Sequence, residues 1–312
     1  MQMEPERRHG RGHLRYSVVA GRTNVTFAFA SYPLKFLHPR GSVRLGHGTF
    51  VTYMLGYGGG LVGGDAIDMD CSIDADACVV LCTQATTKVF KATASADCVK
   101  QQFSFELGPL STLALLPDPI TCFERAKYQQ KQVFRLRKDS SLVLVDWLTS
   151  GRKRNFLSTG CLQENRTEVH EHWDFEEYDS RLEVSIDGEV VLTDRTRLCD
   201  DEPTKLRRRM QGAHVLGVMV VLGPKMKVLT DRLLQLSRRK RLHHASDITP
   251  QGRLSSDADF PGVLASASPL GETGGAITRF IAEDAETAMT FMRSTLAPLE
   301  DELGFKPFQE NR

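Results

Sequence analysis

The chain contains 312 residues, of which 41% are hydrophobic and 25% are charged, and its formal net charge is +1. This length accommodates one large domain or two ordinary ones, and the composition is typical of a soluble globular protein. The near-neutral charge excludes a global field that would attract nucleic acid or an anionic membrane, so electrostatic recognition must use local patches.

The N-terminal segment, residues 1–13, is charged and lacks the apolar core of a secretory signal, so it is predicted to be a disordered lead-in. The longest apolar run, residues 213–223, is about half of the roughly 20 residues that a membrane-spanning helix needs. It is predicted to be a buried strand. Seven cysteines without a C-x-x-C pair indicate reduced thiols, and together these features predict a cytoplasmic protein.

A glycine-rich loop, GYGGGLVGGD at residues 56–65, is the most unusual local feature. Gly58, Gly60 and Gly63 satisfy the G-x-G-x-x-G pattern of dinucleotide-binding loops. Such a loop opens a helix and is followed by an acidic residue about 20 positions later, whereas a strand-like alternation follows here and Thr83 occupies that position. A turn between two strands is therefore the default interpretation, in which glycine supplies dihedrals that other residues avoid.

Strand patterns dominate from about residue 43 to residue 222. Residues 65–73 and 103–107 alternate apolar with polar side chains, and residues 142–147 (LVLVDW) are typical of a strand buried on both faces. The Asp-Gly pair at 187–188 predicts a hairpin, since its turn needs positive φ at both central positions. Many short strands separated by turns favour a sandwich, a barrel or a solenoid over alternating strands and helices.

Helices are predicted late in the chain, at residues 224–241 and 282–296, where apolar residues recur three and four positions apart. The segment between them, 246–275, is rich in Ser, Gly, Pro and Asp and is predicted to be irregular with at most one short strand. We therefore predict one domain over residues 14–312, with a β-rich part at 14–223 and a helix-containing part at 224–312.

Catalytic motifs are absent from the sequence. There is no G-x-S-x-G elbow, no phosphate-binding loop, no H-E-x-x-H and no catalytic-cysteine signature. The sequence thus contains no convincing catalytic constellation. The alternative is an enzyme that binds a nucleotide or small ligand with the loop at 56–65, and nucleotide binding by the purified chain would favour it.

Several smaller groups have a functional and an ordinary interpretation. His170 and His172 would share one face of a strand, and a second histidine pair occurs at 243–244, but solvated or core histidines are commoner than metal ligands. Cys78 and Cys82 are better explained as buried thiols. The basic clusters, residues 207–209 and 238–241, could bind phosphates or an acidic protein, whereas nucleic acid is disfavoured because no aromatics are interleaved with them.

Six ordered segments of the chain resemble one family, the UreD (UreH) urease accessory proteins, in the style of its fungal and plant members. They are 57–65 (YGGGLVGGD), 83–90 (TQATTKVF), 116–123 (LPDPITCF) with Ala126, Tyr128 and Gln130, 145–152 (VDWLTSGR), 178–181 (YDSR) and 265–270 (ASASPL). Residues 279–281 and 296–299 also resemble the strand and helix near the family's C-terminus. Residues 153–169 depart from the family pattern as a polar insert, which we expect to form a surface loop.

This resemblance implies a chaperone, not an enzyme, that helps to build the dinuclear nickel centre of urease, with no permanently bound cofactor and nickel in transit. The implied partners are a UreF-type scaffold protein, a UreG-type GTPase that acts through the scaffold, and apo-urease, with no nucleic acid and no membrane. The implied fold is mainly β, an elongated right-handed β-helix-like stack of sheets with a small C-terminal helical portion. Nickel would pass through a polar internal channel.

Candidate channel or interaction residues follow from the matched segments. They are Gly58, Gly59, Gly60, Gly63, Gly64, Asp65, Thr83, Gln84, Lys88, Asp118 and Arg152. Asp65, Asp68 and Asp70 are weak transit ligands in this hypothesis, because carboxylates attract divalent cations and a tight site would trap the ion. The ordinary alternative is that Asp68 and Asp70 form the solvent face of a strand.

Overall fold

Strands make up most of the protein, in a computed structural model that describes residues 9–39, 48–92, 97–157, 166–200, 204–240 and 260–308. Sheet A contains β1 (His9–Val19), β2 (Arg22–Ala30), β5 (Ala66–Ile73), β8 (Val99–Leu107), β11 (Lys127–Leu136), β15 (Glu177–Ile186) and β16 (Glu189–Cys199). Sheet B contains β3 (Leu34–Leu37), β4 (Phe50–Gly56), β6 (Cys78–Thr83), β9 (Thr112–Leu116), β12 (Ser141–Thr149), β17 (Val215–Leu222), β18 (Val263–Pro269) and β19 (Ala276–Ala282).

The remaining elements are short strands and helices. The strands β7 (Thr87–Val89) and β10 (Ile120–Cys122) extend sheet B beside β12, and β13 (Lys153–Leu157) pairs antiparallel with β14 (Arg166–His170). The helices are α1 (Leu206–Arg209), α2 (Lys227–Lys240), α3 (Ala285–Thr295) and α4 (Leu299–Leu303). None of the helices in the described part of the chain combines the length and apolarity that crossing a bilayer requires.

The central strands of both sheets are parallel, and the chain alternates between the sheets. In sheet A the order is β16-β15-β11-β8-β5-β1-β2, with β1, β5, β8, β11 and β15 parallel. In sheet B the order is β18-β19-β17-β12-β9-β6-β4-β3, with β4, β6, β9 and β12 parallel. The mainly β fold with few helices is therefore confirmed, while the right-handed β-helix stays a prediction.

Parallel pairing fixes where the connecting segments lie. Because β4, β6, β9 and β12 run in one direction, the segments that follow them leave sheet B at the same edge. The chain then enters the parallel strands of sheet A from that side. We call this edge of the molecule the loop end.

Two buried layers hold the structure together. The first lies between the sheets and includes Phe105 and Phe134, whose rings stack at 4.6 Å between centroids. The second lies between the other face of sheet B and the helices, where Phe280 packs against Phe291. Sheet B is thus buried on both faces, which explains its continuous apolar strands, whereas sheet A has one solvent-facing side and alternates.

Two of the sequence-based predictions are wrong in part, and two are confirmed. The disordered lead-in is wrong for residues 9–13, which begin β1 and pair with β5, while residues 1–8 lie outside the described residues. The expected surface loop at 153–169 is wrong where β13 and β14 form their pair. The helices at 224–241 and 282–296 are confirmed as α2 and α3. The hairpin at 187–188 is confirmed by the pairing of β15 with β16.

Candidate functional site

Three of the matched segments meet at the loop end and are hydrogen-bonded to one another. The Leu61 amide donates to the Lys88 carbonyl and the Phe90 amide donates to the Leu61 carbonyl, each at 2.8 Å, so the glycine loop is fastened to the segment that follows β6. The Asp118 amide donates to Thr83 Oγ1 at 2.7 Å, which joins that segment to the one after β9. The parallel order of sheet B therefore brings residues distant in sequence into one wall.

The glycine loop depends on glycine for two separate reasons. Gly59 has φ of 76°, in the left-handed region that other residues rarely adopt. At Gly60 a Cβ would lie 2.7 Å from the Lys88 carbonyl oxygen, so the close approach of the loop to its neighbour requires its absence. The loop continues into strand β5 rather than a helix, and this does not match a dinucleotide-binding loop.

A cavity of about 280 Å³ lies between the two sheets and opens at the loop end. Among the candidate residues, those that line it are Gly59, Gly60, Thr83, Gln84, Lys88 and Asp118. Its lining also includes four polar side chains from the central strands, Gln101, Gln130, Gln132 and Asp146. Gln130 and Gln132 are nearly fully buried, at 6% and 4% exposure, so the inter-sheet layer is polar beside the cavity.

A hydrogen-bonded cluster forms the polar side of the cavity. The Tyr128 hydroxyl is hydrogen-bonded with the side-chain amides of Gln101 (2.6 Å) and Gln130 (2.7 Å). The Ser180 hydroxyl donates to Asp146 Oδ2 at 2.7 Å, and Gln130 Nε2 donates to the same oxygen at 3.3 Å. Burial raises the pKa of Asp146, while these hydrogen bonds oppose the rise. The cluster holds a carboxyl group with neutral donors.

The three aspartates proposed as transit ligands do not line the cavity. Asp65 is buried, and its Oδ2 accepts a hydrogen bond from the Val62 amide at 2.9 Å, so it stabilises the turn of the glycine loop. Asp68 and Asp70 lie on the exposed outer face of sheet A, where Asp68 is hydrogen-bonded with His9 at 2.6 Å. The ordinary alternative, a solvent face of β5, matches their positions, and their place inside a channel is not supported.

The other candidate residues lie at the loop end but outside the cavity lining. Gly58, Gly63 and Gly64 belong to the turns of the glycine loop. Arg152 donates through Nε to Glu171 Oε1 at 3.1 Å and lies over the Phe123 ring, 4.3 Å from its centroid. Glu171 is 4% exposed and also accepts from the Glu124 amide, so Arg152 balances a buried charge.

Of the cysteines and histidines considered in the sequence, two cysteines have ordinary surroundings and one histidine has an unexpected neighbour. Burial raises the pKa of the Cys78 and Cys82 thiols, as expected for buried thiols. His172 contacts His214, a histidine that the sequence offered only as an interruption of an apolar strand. The residues at 243–244 and 241 lie outside the described part of the chain. Within the described residues, no group of three or more His, Cys, Asp or Glu side chains is arranged to hold a metal ion.

The chain is similar to known proteins over nearly its whole length. A family model described as UreD urease accessory protein matches residues 8–312. A protein named urease accessory protein D from Arabidopsis thaliana is 35% identical over 303 residues, covering 93% of this chain and 96% of that protein. One of the same name from Oryza sativa subsp. indica is 34% identical over 304 residues, covering 95% and 94%. Urease accessory protein UreD from Sorangium cellulosum is 35% identical over 299 residues, covering 96% and 83%.

Proposed function

The chain belongs to the UreD family of urease accessory proteins, and on this basis we propose that it helps to insert nickel into apo-urease. Its role is in urease maturation, as an accessory protein rather than an enzyme. In the proposal it binds a UreF-type scaffold, receives nickel from a UreG-type GTPase through that scaffold in a GTP-dependent step, and docks on apo-urease. It acts in the cytoplasm and holds no permanent cofactor.

The observation that carries the nickel proposal is the inter-sheet cavity with its polar cluster. An ion in transit needs ligands that bind it weakly and release it, and amide oxygens with one carboxylate fit this better than a set of thiolates and imidazoles. Gln101, Gln130 and Asp146 supply such groups beside the cavity. Asp146 is hydrogen-bonded by neutral partners, so a passing cation would meet a carboxyl group that no positive charge already neutralises.

The proposal places the entrance at the segment after β6. Ala85 is exposed and lines the mouth of the cavity, so Ala85→Trp would put an indole ring across the opening without altering the core. We expect the variant to form the same complexes as the wild type and to lose most of the nickel-dependent activation of urease. The assay co-purifies the tagged chain with the scaffold, the GTPase and apo-urease and then measures urease activity after addition of nickel and GTP.

Two controls make this experiment decisive. Ala85→Ser changes the same position without adding bulk, and Val190→Trp adds the same ring at a site that is 60% exposed in β16. Both should activate urease as the wild type does. Full activation by Ala85→Trp would contradict transit through this mouth, and loss of the complexes would instead make the mouth a docking surface. Activation that never requires the chain would contradict the maturation proposal itself.

A further inference from the structure

Sheets A and B end in four edge strands, and three of these carry features that keep another chain from pairing with them. β16 bears Asp194, Arg195 and Arg197, β18 packs against α2, and β3 has only four residues, one of which is Lys35. β2 differs from all three. Residues 23–30 (TNVTFAFA) contain no charge, and within the described residues no strand pairs with β2 on the side away from β1. We call this side the free edge of β2.

The free edge of β2 presents backbone groups over a short stretch. The Ser31 amide donates to the Arg11 carbonyl of β1 at 2.8 Å. Because the hydrogen-bonding direction alternates along a strand of an antiparallel pair, Ala30 and Ala28 direct their amide and carbonyl groups toward the free edge. A β-bulge that leaves Thr26 without an opposite residue on β1 ends this stretch. Another strand can therefore pair with the residues between Thr26 and Ala30.

The side chains along this stretch suit an added strand. Phe27 and Phe29 lie on the outer face of sheet A, opposite the exposed residues of β1, and each is 50% exposed. Ala28 and Ala30 lie on the inner face and line a groove of about 510 Å³ between β2 and β3. The groove therefore has room for an added strand whose inward side chains are small.

We propose that a second copy of the chain pairs antiparallel with the free edge of β2, about a two-fold axis at Ala28. Residues directly opposite each other in such a pair lie on the same face of the sheet. This register sets Phe27 of each copy opposite Phe29 of the other, so that four phenylalanine rings form one cluster on the outer face. The Ala28 amide of each copy donates to the Ala28 carbonyl of the other. Aromatic cross-strand pairs stabilise a contact of this kind.

Charge favours a second copy as the occupant of this edge. A two-fold contact sets each charged side chain near its own copy, so a strand that pairs with itself must be uncharged there. β2 meets this condition over residues 23–30, and the neighbouring cation on β1, Arg15, is paired with Asp74 at 3.2 Å. Because the stretch is short, the contact buries less than about 1,200 Å², the lower limit of a standard interface, and we expect a dissociation constant in the micromolar range.

The test is sedimentation equilibrium of the untagged full-length chain at concentrations from about 1 to about 100 µM, without nickel or other proteins. Neither Phe27 nor Phe29 lines the inter-sheet cavity, so the result does not depend on the proposed function. We expect the average mass to rise from that of the 34.8 kDa monomer toward twice that value. A chain that stays monomeric over this range would overturn the proposal.

Substitutions at two exposed apolar positions locate the contact. Phe29→Lys replaces the aromatic pair at both ends of the contact with a solvated cation, and we expect it to weaken association at least about tenfold. Val190→Lys is the matched control, because it adds the same charge at a position that is 60% exposed on β16, the opposite edge of sheet A. It should associate as the wild type does.

Two results with these variants would contradict the pairing of two copies. One is equal association of Phe29→Lys and the wild type. The other is a monomeric wild type whose Phe29→Lys variant no longer binds the scaffold protein or apo-urease, which would make β2 a docking strand for that partner.

Disulfide formation tests the register. For a residue on the axis of a hydrogen-bonded antiparallel pair, the two Cα atoms lie about 5.5 Å apart, within the range of a disulfide. Ala28→Cys should therefore give a linked dimer on oxidation, above the background that the wild type gives with its own cysteines. In Thr26→Cys the two Cα atoms would lie about 14 Å apart along the strands, and we expect no link. Linking of Thr26→Cys in preference to Ala28→Cys would overturn the axis at Ala28.

A measurement on the wild-type chain guards against variants that fail to fold. In hydrogen–deuterium exchange, the Ala28 and Ala30 amides should exchange more slowly at about 100 µM than at about 1 µM, because the second copy accepts their hydrogen bonds. The amides of β16 should exchange equally at both concentrations. Equal exchange of residues 27–30 at the two concentrations would also overturn the pairing.

Discussion

Two neighbouring residues of β15, Asp179 and Ser180, lie on opposite faces of sheet A, and the carboxylate at each face is held in a different way. Asp179 on the outer face accepts two hydrogen bonds from Arg195, at 2.9 and 2.8 Å, and two from Arg181, at 3.5 and 3.1 Å. On the inner face, Ser180 donates to Asp146, whose other donor is the amide of Gln130. Among the described side chains, no Lys, Arg or His forms an ion pair with Asp146.

The difference is that arginine side chains already neutralise the Asp179 carboxylate, whereas Asp146 is held by neutral donors. Hydrogen bonding to Arg195 is the main reason why the pKa of Asp179 lies below its ordinary value. Burial is the main reason why the pKa of Asp146 lies above its ordinary value. A carboxylate that guanidinium groups hold contributes to the stability of the fold, whereas one held by neutral donors beside a cavity remains a favourable neighbour for an incoming cation. This contrast supports the nickel path proposed above.

The largest expected effect is at Asp179. Asp179→Asn should lower the free energy of unfolding at pH 7 by about 1–3 kcal/mol, because hydrogen bonds to charged groups are lost in a site that is 3% exposed. Since its pKa is lowered in the folded state, its contribution is present above the unfolded value of about 3.9 and is lost as pH falls through the folded pKa. Urea unfolding at a series of pH values measures this.

The control for Asp179→Asn is a substitution at Asp187, a second carboxylate whose contact with an arginine is exposed to solvent. Asp187 lies 3.5 Å from Arg137, and both side chains are exposed, so Asp187→Asn should cost about 0–1 kcal/mol. If the destabilisation by Asp179→Asn were no larger, or did not shrink in acid, the guanidinium contacts would not explain how this buried anion is tolerated.

A smaller effect is expected at the hydroxyl of Tyr128. Tyr128→Phe removes the group that is hydrogen-bonded with Gln101 and Gln130, and we expect a loss of about 1 kcal/mol in urea unfolding. The cost stays at that level because the cavity lets water reach the freed amides. The matched control is Tyr57→Phe, at a ring that is 47% exposed, which should leave stability unchanged. A loss of several kcal/mol would mean that the cluster is closed to water.

Local sequence patterns predicted the parts of the fold that depend on neighbouring residues. The alternation after the glycine loop predicted strand β5, and it supported the alternative in which Asp68 and Asp70 are exposed opposite the buried Ile67 and Met69. The continuous apolar run at 142–147 predicted β12, buried on both faces. These patterns suffice because a strand's two faces are set by a period of two residues.

The polar cluster and the histidine pair could not be predicted in this way, since each depends on contacts between segments that are far apart in sequence. Gln101, Gln130 and Asp146 belong to β8, β11 and β12, and only the parallel order of the two sheets makes them converge. The sequence did contain one signal for the polar cluster, because Asp146 is a charged residue in an apolar strand, at a position that faces the layer between the sheets. His172 and His214 offered no such signal, and strand spacing pointed to His170 as the partner of His172.

The smallest expected change in stability is at Asp146, where the substitution should stabilise the protein rather than destabilise it. Asp146→Asn keeps the size of the side chain and removes its charge. The raised pKa of Asp146 means that its contribution to stability is complete below the unfolded value of about 3.9 and is lost as pH rises through the folded pKa. At neutral pH the buried carboxyl group therefore lowers the stability of the wild type, and the variant lacks this cost. The free energy of unfolding of the variant should exceed that of the wild type by less than about 1 kcal/mol, a smaller change than the one expected at Tyr128.

The pH dependence distinguishes Asp146 from a simple packing effect. In urea unfolding, the advantage of Asp146→Asn should grow as pH rises from the unfolded value of about 3.9 through the folded pKa, and it should vanish in stronger acid, where the wild-type carboxyl is protonated. Asp70→Asn, at an exposed position of β5, should change stability by less than about 0.5 kcal/mol. Added Ni²⁺ should stabilise the wild type more than the variant, because a carboxylate attracts a nearby cation more strongly than a neutral amide does. A variant that is less stable than the wild type at pH 7 would mean that Asp146 is neutralised by a positive charge, as Asp179 is, and the proposed difference between the two faces of β15 would not hold.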